Sequence, residues 1–240
     1  MTVFKRAKTV TGLASCVFAG LTLTATPSAA DGFYVQAWGG VSLQRDQFSG
    51  GATAGGDPRA VDIDFDPGLA VGGGIGYAFD NFSFGRFRVE AELSYRENDV
   101  DAGSFNGGDQ IFGGDNSSLA GMAVFYIDWT NLSERVVPYV GAGIGVAGVE
   151  SDVIYAPAGG SLDTPAIEFG GPTDTELAYQ FIAGFSVPLY AGLSLTLDGR
   201  YYATTDPDFE RIVVATDTVD SVLNSEFEAW HVTAGFRYAF

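Results

Sequence analysis

Apolar and polar residues alternate along most of this chain from residue 32 to its end. The segment 86–96 shows the pattern most clearly, because Phe87, Val89, Ala91, Leu93 and Tyr95 alternate with polar and charged residues. A repeat of two places the two sets on opposite faces of an extended strand. The pattern recurs in segments 32–43, 69–79, 119–129, 136–146, 177–187, 193–202 and 226–240. It predicts an all-β protein of eight strands.

The connections between these strands alternate in length. Long segments rich in glycine and aspartate cover residues 44–68, 97–118, 148–175 and 204–225, and short ones cover 80–85, 130–135 and 188–192. Long external loops and short periplasmic turns are typical of outer-membrane barrels. We therefore predict an eight-stranded antiparallel up-and-down transmembrane β-barrel with four long extracellular loops and three short periplasmic turns. Both termini then lie on the periplasmic side.

The first 30 residues have the organisation of a signal peptide. Three basic residues precede an apolar run at 10–25, and Ala30 ends a stretch of small residues. This order predicts cleavage before Asp31, which leaves residues 31–240 as the barrel. Threonines and glycines in the run argue against a permanent membrane anchor. A lipoprotein signal ending at Cys16 is disfavoured, because few apolar residues separate it from Lys8.

Charge and composition narrow the possible functions. The chain has a formal net charge of −18, and without the leader it keeps nine arginines, no lysine and 30 acidic residues, a net charge of −21. Such a balance disfavours nucleic acid as a partner. The single cysteine belongs to the leader, so disulfides and thiolate chemistry are not expected. Beyond the leader no apolar run is long enough for a transmembrane helix, which leaves a closed barrel as the way to span a membrane.

Charged residues on the predicted inward faces are the main candidates for a site. They are Arg86, Arg88, Glu90, Glu92, Arg96, Asp128, Asp198, Arg200 and Arg237, with His231 beside them. The interior of an eight-stranded barrel is just wide enough for its own side chains, which favours a paired polar network filling the lumen over a gated ion path. We expect Arg88 to pair with Asp128, and Asp198 to pair with Arg237.

Catalytic and metal chemistry have weak support. His231 and Thr233 resemble the His-x-Ser pair of outer-membrane lipid A deacylases, but both fall on the lumen face, away from any acyl chain. One histidine and no cysteine in the mature chain argue against a zinc site and exclude a Cys-His nucleophile. Asp62, Asp64 and Asp66 lie on one side of an extended segment and form a weak Ca²⁺ or Mg²⁺ candidate. The alternative is that these acids keep the loop soluble. We predict no catalytic residues and no cofactor.

Short motifs at three places resemble the small OmpA-like, opacity-type outer-membrane β-barrel family. They are Gly32-Phe33-Tyr34-Val35, the run from Pro138 to Gly145, and the end Gly235-Phe236-Arg237-Tyr238-Ala239-Phe240. The resemblance covers essentially the whole mature chain. It implies a Gram-negative outer-membrane protein whose terminal Phe236, Tyr238 and Phe240 are read by the barrel assembly machinery. No peptidoglycan-binding domain follows the barrel, so tethering to the cell wall is not implied.

The predicted function is non-catalytic: a structural and surface-interaction role in adhesion or recognition through the acidic loops. The expected partners are outer-membrane lipid, lipopolysaccharide bridged by divalent cations, the assembly machinery, and a host or envelope component. Two alternatives stay open, a narrow porin-like channel for small solutes or ions, and a hydrophobic-ligand or haem binder with an aromatic pocket near Trp38.

Overall fold

The computed structural model describes residues 32–52, 58–105, 108–133, 135–156, 160–162, 167–170, 174–205, 208–213, 218–224 and 227–240. The predicted signal peptide and its cleavage site lie outside these residues. All regular structure within them is β-strand. The strands are β1 Gly32–Gln44, β2 Gln47–Ala52, β3 Pro58–Phe65, β4 Gly68–Phe82, β5 Gly85–Phe105, β6 Gly108–Asp128, β7 Val137–Ala156, β8 Ile167–Gly170, β9 Asp174–Tyr190, β10 Leu193–Thr204, β11 Asp208–Val213, β12 Thr218–Asn224 and β13 Glu228–Ala239.

Eight of these strands close into the predicted antiparallel barrel, in the order β1-β4-β5-β6-β7-β9-β10-β13. Closure is direct, because β1 pairs with β4 on one side and β13 on the other. Val35 on β1 pairs with Ile75 on β4, and the residues paired in succession around the ring end at Glu228 on β13. Val35 itself pairs with a different residue of β13, Tyr238. The stagger is therefore ten residues, and it tilts the strands by roughly 35–45°.

The two faces of the barrel strands are those the alternation predicts. Large apolar side chains on the outer face are exposed, among them Phe33, Ile75 and Phe181. Aromatic rings line both ends of this face. The lower chain of contacts runs from Phe33 through Tyr77, Phe79 and Phe87 to Phe125, and the upper chain joins Tyr179, Tyr201 and Trp230. Such girdles mark the two interfaces of a lipid bilayer.

None of the described residues form a helix that is long and apolar enough to cross a membrane.

The outer half of the molecule differs from the prediction of long loops. β5 and β6 have 21 residues each and β7 has 20, about twice what a membrane crossing needs, so their outer halves extend the sheet beyond the girdle. β3 pairs with β5, β8 pairs with β7, and β11 and β12 continue from β8. Ile63, Phe112 and Val153 are buried together between these extensions. The sequence around these outer strands is rich in Gly and Asp, which is typical of loops. For that reason the strands were not predicted from the sequence.

Glycines on the inner face of β4 make room for large side chains of neighbouring strands. A Cβ built on Gly72 would lie 2.4 Å from the Trp38 ring, and one on Gly76 would lie 2.2 Å from the Tyr34 ring. A Cβ on Gly74 would lie 2.7 Å from the Glu90 carboxylate. The bare inner face of β4 therefore leaves lumen volume that Trp38, Tyr34 and Glu90 fill.

Replacing Gly76 with alanine should therefore lower the free energy of unfolding by about 1–3 kcal/mol, because the new methyl group displaces the buried Tyr34 ring. The measurement is urea-driven unfolding of the barrel in lipid vesicles, followed by tryptophan fluorescence. Gly121→Ala is the matched control, since nothing lies within 4 Å of its Cβ position. Equal losses at the two positions would contradict this account of the β4 glycines.

Candidate lumen network

The barrel encloses the charged residues that the sequence assigns to its interior. Arg88, Glu90, Glu92, Arg96, Asp128, Asp198, Arg200, His231 and Arg237 all have at most 6% of their surface exposed. Burial of charge at this level is stable only where the groups are paired and hydrogen-bonded. The network divides into three layers along the barrel axis.

The lower layer, toward the periplasmic turns, is organised around Asp128. Arg88 donates to its carboxylate from Nε and Nη2 at 2.9–3.0 Å, as predicted, and Arg86 donates from Nη2 at 3.0 Å. The Arg88 guanidinium also lies 4.1 Å from the Tyr126 ring centroid and donates to the Tyr34 hydroxyl at 3.0 Å. Arg88 is thereby fixed by side chains of the neighbouring β6 and of β1.

The middle layer crosses the full width of the barrel. Arg200 Nη1 on β10 donates to Glu92 Oε2 on β5 at 2.7 Å, and these strands are four places apart in the ring of eight, hence opposite. Glu92 also accepts from Trp38 Nε1 at 3.1 Å and from Gln180 Nε2 at 2.8 Å. The Arg200 guanidinium covers the Trp38 ring, 3.9 Å from its centroid. One carboxylate therefore joins side chains from four strands.

Asp198 belongs to this middle layer, and its predicted pairing with Arg237 is wrong. It accepts from Arg200 Nε at 2.6 Å, from the Tyr139 hydroxyl at 2.6 Å and from the Thr233 hydroxyl at 2.7 Å. The register of β10 on β13 places Asp198 opposite Thr233 and Ser194 opposite Arg237. Four residues along the strand separate the two predicted partners, which is too far for an ion pair.

The upper layer contains Arg96 and His231. The Arg96 guanidinium stacks on Tyr202 at 3.4 Å from the ring centroid, and its Nη2 donates to Ser94 at 2.8 Å. Tyr202 in turn shares a hydrogen bond of 2.9 Å with Ser118 across the lumen. His231 lies beside the Tyr202 ring, and both it and Thr233 point inward, away from the lipid.

Net charge changes sign from layer to layer. Three arginines, Arg86, Arg88 and Arg237, surround the single carboxylate of Asp128 in the lower layer. The middle layer holds Arg200 against three carboxylates, and neither oxygen of Glu90 has a hydrogen-bond partner among the described residues. The upper layer has Arg96 as its cation. A cation is therefore repelled by the layer at either end, and an anion is repelled by the middle layer. Each kind of ion must cross a layer of its own sign of charge, which raises the barrier to its passage.

Several members of the network, including Trp38, Tyr139 and Gln180, were not predicted from the sequence to form hydrogen bonds. Trp38, Tyr139 and Gln180 each donate to a buried carboxylate. The sequence does place these residues on the inward faces of their strands. That position was the available signal, since the polar tips of buried aromatic side chains usually find a hydrogen-bond partner. What the sequence lacks is the identity of the partner on a distant strand.

The acidic cation candidate lies outside the barrel. Asp62, Asp64 and Asp66 are exposed in and just after β3. The described residues contain no group of three or more His, Cys, Asp or Glu side chains that could hold a metal ion. Partial desolvation, followed by repulsion from Asp46, Asp62 and Asp101, raises the pKa of the Asp64 carboxyl. A raised pKa means that ionisation of Asp64 opposes folding of the outer sheet, fully so above that pKa.

A closed, staggered eight-stranded barrel with a lipid-facing apolar surface and a buried polar lumen defines an outer-membrane β-barrel protein. The profile of the family described as outer membrane protein beta-barrel domain matches residues 13–240. The chain belongs to this family, and it is located in the outer membrane. No curated protein is detectably similar in sequence.

Solved structures with a similar fold share little sequence with this chain. The outer membrane protease OmpT from Escherichia coli is 11% identical with a TM-score of 0.55, covering 92% of this chain and 99% of that one. The outer membrane protein OprG from Pseudomonas aeruginosa is 12% identical with a TM-score of 0.50, covering 87% and 97%. Neisserial surface protein A is 19% identical with a TM-score of 0.45, also covering 87% and 97%. The similarities to OmpT and OprG describe the fold and leave the function to be argued from the chain itself.

Proposed function

We propose that this protein is a non-catalytic outer-membrane barrel whose lumen is closed and whose outer sheet mediates interactions at the cell surface. The observation that carries the proposal is the Glu92–Arg200 ion pair, which spans the barrel between opposite strands. An ion pair across the lumen argues against transport through the barrel. It supports an interaction role for the exposed outer half. The strand extensions of β5, β6 and β7 give that outer half a sheet framework instead of free loops.

The charge of the outer half indicates what kind of partner it attracts. The four outer segments 45–68, 97–118, 148–176 and 204–228 hold 23 of the 30 acidic residues and only three arginines. Exposed examples on the described surface are Asp62, Asp64, Asp99 and Asp101. A field of this sign draws in cationic surfaces and repels nucleic acid. The proposed partners are therefore a basic host or envelope protein, or lipopolysaccharide phosphates bridged by divalent cations. Recognition of Phe236, Tyr238 and Phe240 by the assembly machinery stays a prediction.

Neutralising part of the acidic surface should weaken attachment to a cationic probe. Cells producing the triple variant Asp62→Asn, Asp64→Asn, Asp101→Asn should bind polylysine-coated surfaces about threefold less at low salt than cells with the unchanged protein. The difference should shrink at physiological ionic strength, where charges are screened beyond about 8 Å. The control is the triple Asp-to-Glu variant, which keeps the charge. Unchanged attachment of the Asn variant would count against the acidic surface as the interaction site.

A narrow channel is the second candidate, favoured by buried polar atoms of the lumen that have no partner among the residues placed in the structure. They include both oxygens of Glu90, Arg200 Nη2, the Tyr126 hydroxyl and the Thr196 hydroxyl. Such groups are usually satisfied by water. Single-channel recording in a planar bilayer separates the two functions. We expect no steady open conductance, because charged layers of alternating sign and the transverse ion pair block the path; a steady, ion-selective conductance would favour the channel.

The remaining alternatives have less support from the geometry. The Trp38 ring is covered by Arg200 and donates to Glu92, so it is part of the network and not the wall of a ligand pocket. This argues against a haem or hydrophobic-ligand site at that position. For a deacylase, His231 and Thr233 face the wrong side of the barrel. We expect His231→Ala to leave the lipid A profile of the producing cell unchanged.

A further inference from the structure

A cavity of about 390 Å³ lies at the periplasmic end of the barrel, beside the turn at residues 191–192. It is formed where β9 and β13 end and where β5, β7 and β10 begin. Its polar wall consists of Arg86, Ser186, Ser194 and Arg237. Its apolar wall includes Leu189 and Leu193, which continue into the lipid-facing surface.

Arg237 is the cation in this cavity whose hydrogen bonds are incomplete. It is 6% exposed, and its Nη2 donates to the Ser186 hydroxyl at 3.2 Å, while Nη1 is buried without a hydrogen-bond partner in the part of the chain that the structure describes. No acidic side chain among the described residues forms an ion pair with it. The nearby Asp128 is already bound by Arg86 and Arg88. A buried guanidinium left in this state is costly unless an anion completes its hydrogen bonds.

We propose that this cavity binds a phosphate group, with Arg237 as the principal donor and Arg86 as the second. Arginine matches phosphate oxygens with a planar fork of N–H donors, and paired forks give both strength and orientation. The apolar wall favours a phosphate carried on lipid. Tyr190 and Leu189 are 84% and 52% exposed at the rim, where acyl chains of the periplasmic leaflet would lie. The site is independent of the outer acidic surface and of whether the lumen conducts.

The test follows binding at the turn itself by NMR. Shifts of the backbone amides of Ala191 and Gly192 are recorded for the folded barrel in maltoside micelles, during titration with inorganic phosphate and, separately, with dioctanoyl phosphatidylglycerol. We expect saturable shifts with the unchanged protein. Arg237→Gln should weaken binding about tenfold or more, the effect of losing a hydrogen bond to a charged group. Arg135→Gln is the matched control, because Arg135 is an exposed arginine of another periplasmic turn.

A second variant separates loss of the site from loss of the fold. Ser194 pairs directly with Arg237 in the β10–β13 register, so Ser194→Asp supplies the missing carboxylate while keeping Arg237 in place. It too should weaken binding about tenfold. Tighter binding of the lipid than of phosphate supports a lipid ligand. Binding of phosphate alone, lost in both variants, supports a soluble phosphate compound at the same site. The proposal is overturned if neither probe gives saturable shifts, or if both variants bind like the unchanged protein.

Discussion

Replacing Arg200 with methionine is expected to lower the free energy of unfolding by about 3–5 kcal/mol, since removing one partner of a buried ion pair leaves the other charges uncompensated. Arg200 is 1% exposed and donates to Glu92 at 2.7 Å and to Asp198 at 2.6 Å. Both carboxylates would stay in the lumen without a cation at hydrogen-bond distance. The measurement is the urea concentration at the midpoint of folding into lipid vesicles. The slope of the unfolding free energy against urea concentration should be the same for the variant and the unchanged protein.

An exposed ion pair in the same protein provides the control. Arg45 donates to Glu228 at 2.5 Å, but its side chain is 67% exposed, so Arg45→Met should change stability by only about 0–1 kcal/mol. A second comparison also neutralises the two carboxylates that pair with Arg200. Adding Glu92→Gln and Asp198→Asn to Arg200→Met should recover more than half of the loss, because neither of these two carboxylates is then buried without its cation. A single Arg200→Met substitution as mild as Arg45→Met would show that the lumen is well hydrated and not a packed network.

The barrel itself was predictable because its signal is local. Alternation with a period of two is visible within one strand, so the inward position of Glu92 and the outward position of Leu93 follow without knowing their neighbours. The outer strands were not predictable by the same means. In β3 the buried Ile63 stands between Asp62 and Asp64, but the flanking Gly- and Asp-rich sequence is equally typical of a loop.

Some contacts inside the lumen can be predicted from the sequence, and others cannot. Arg88 and Asp128 lie on adjacent strands joined by an external connection, where similar depth is a sufficient guide. Asp198 and Arg237 also lie on adjacent strands, but depth alone misses a register that offsets them by four residues. The Glu92–Arg200 pair depends on the stagger of ten residues summed around all eight strands. No single segment of the sequence contains that quantity.

Placing arginine on the lipid face of the barrel should be nearly as damaging as removing one from its lumen. Ile75 is 64% exposed midway along β4, between the aromatic girdles, and pairs with Val35 and Ala91. Ile75→Arg should lower the free energy of folding into lipid vesicles by about 2–4 kcal/mol, which is the penalty for a cation at the bilayer midplane. Urea-driven unfolding in vesicles measures it.

Depth is the variable that distinguishes this penalty from a general defect, and β4 offers a control for it. Leu69 is on the same face of the same strand and is 54% exposed, but it lies six residues nearer the outer surface, which is about 20 Å along the tilted strand and about 15 Å in depth. It pairs with Glu97, so an arginine there has both water and a carboxylate within reach. Leu69→Arg should therefore change the folding free energy by about 0–1 kcal/mol. A loss at Leu69 as large as that at Ile75 would mean that the penalty does not depend on depth in a bilayer. The apolar face would then contact protein instead of lipid, because a protein interface would penalise both positions alike.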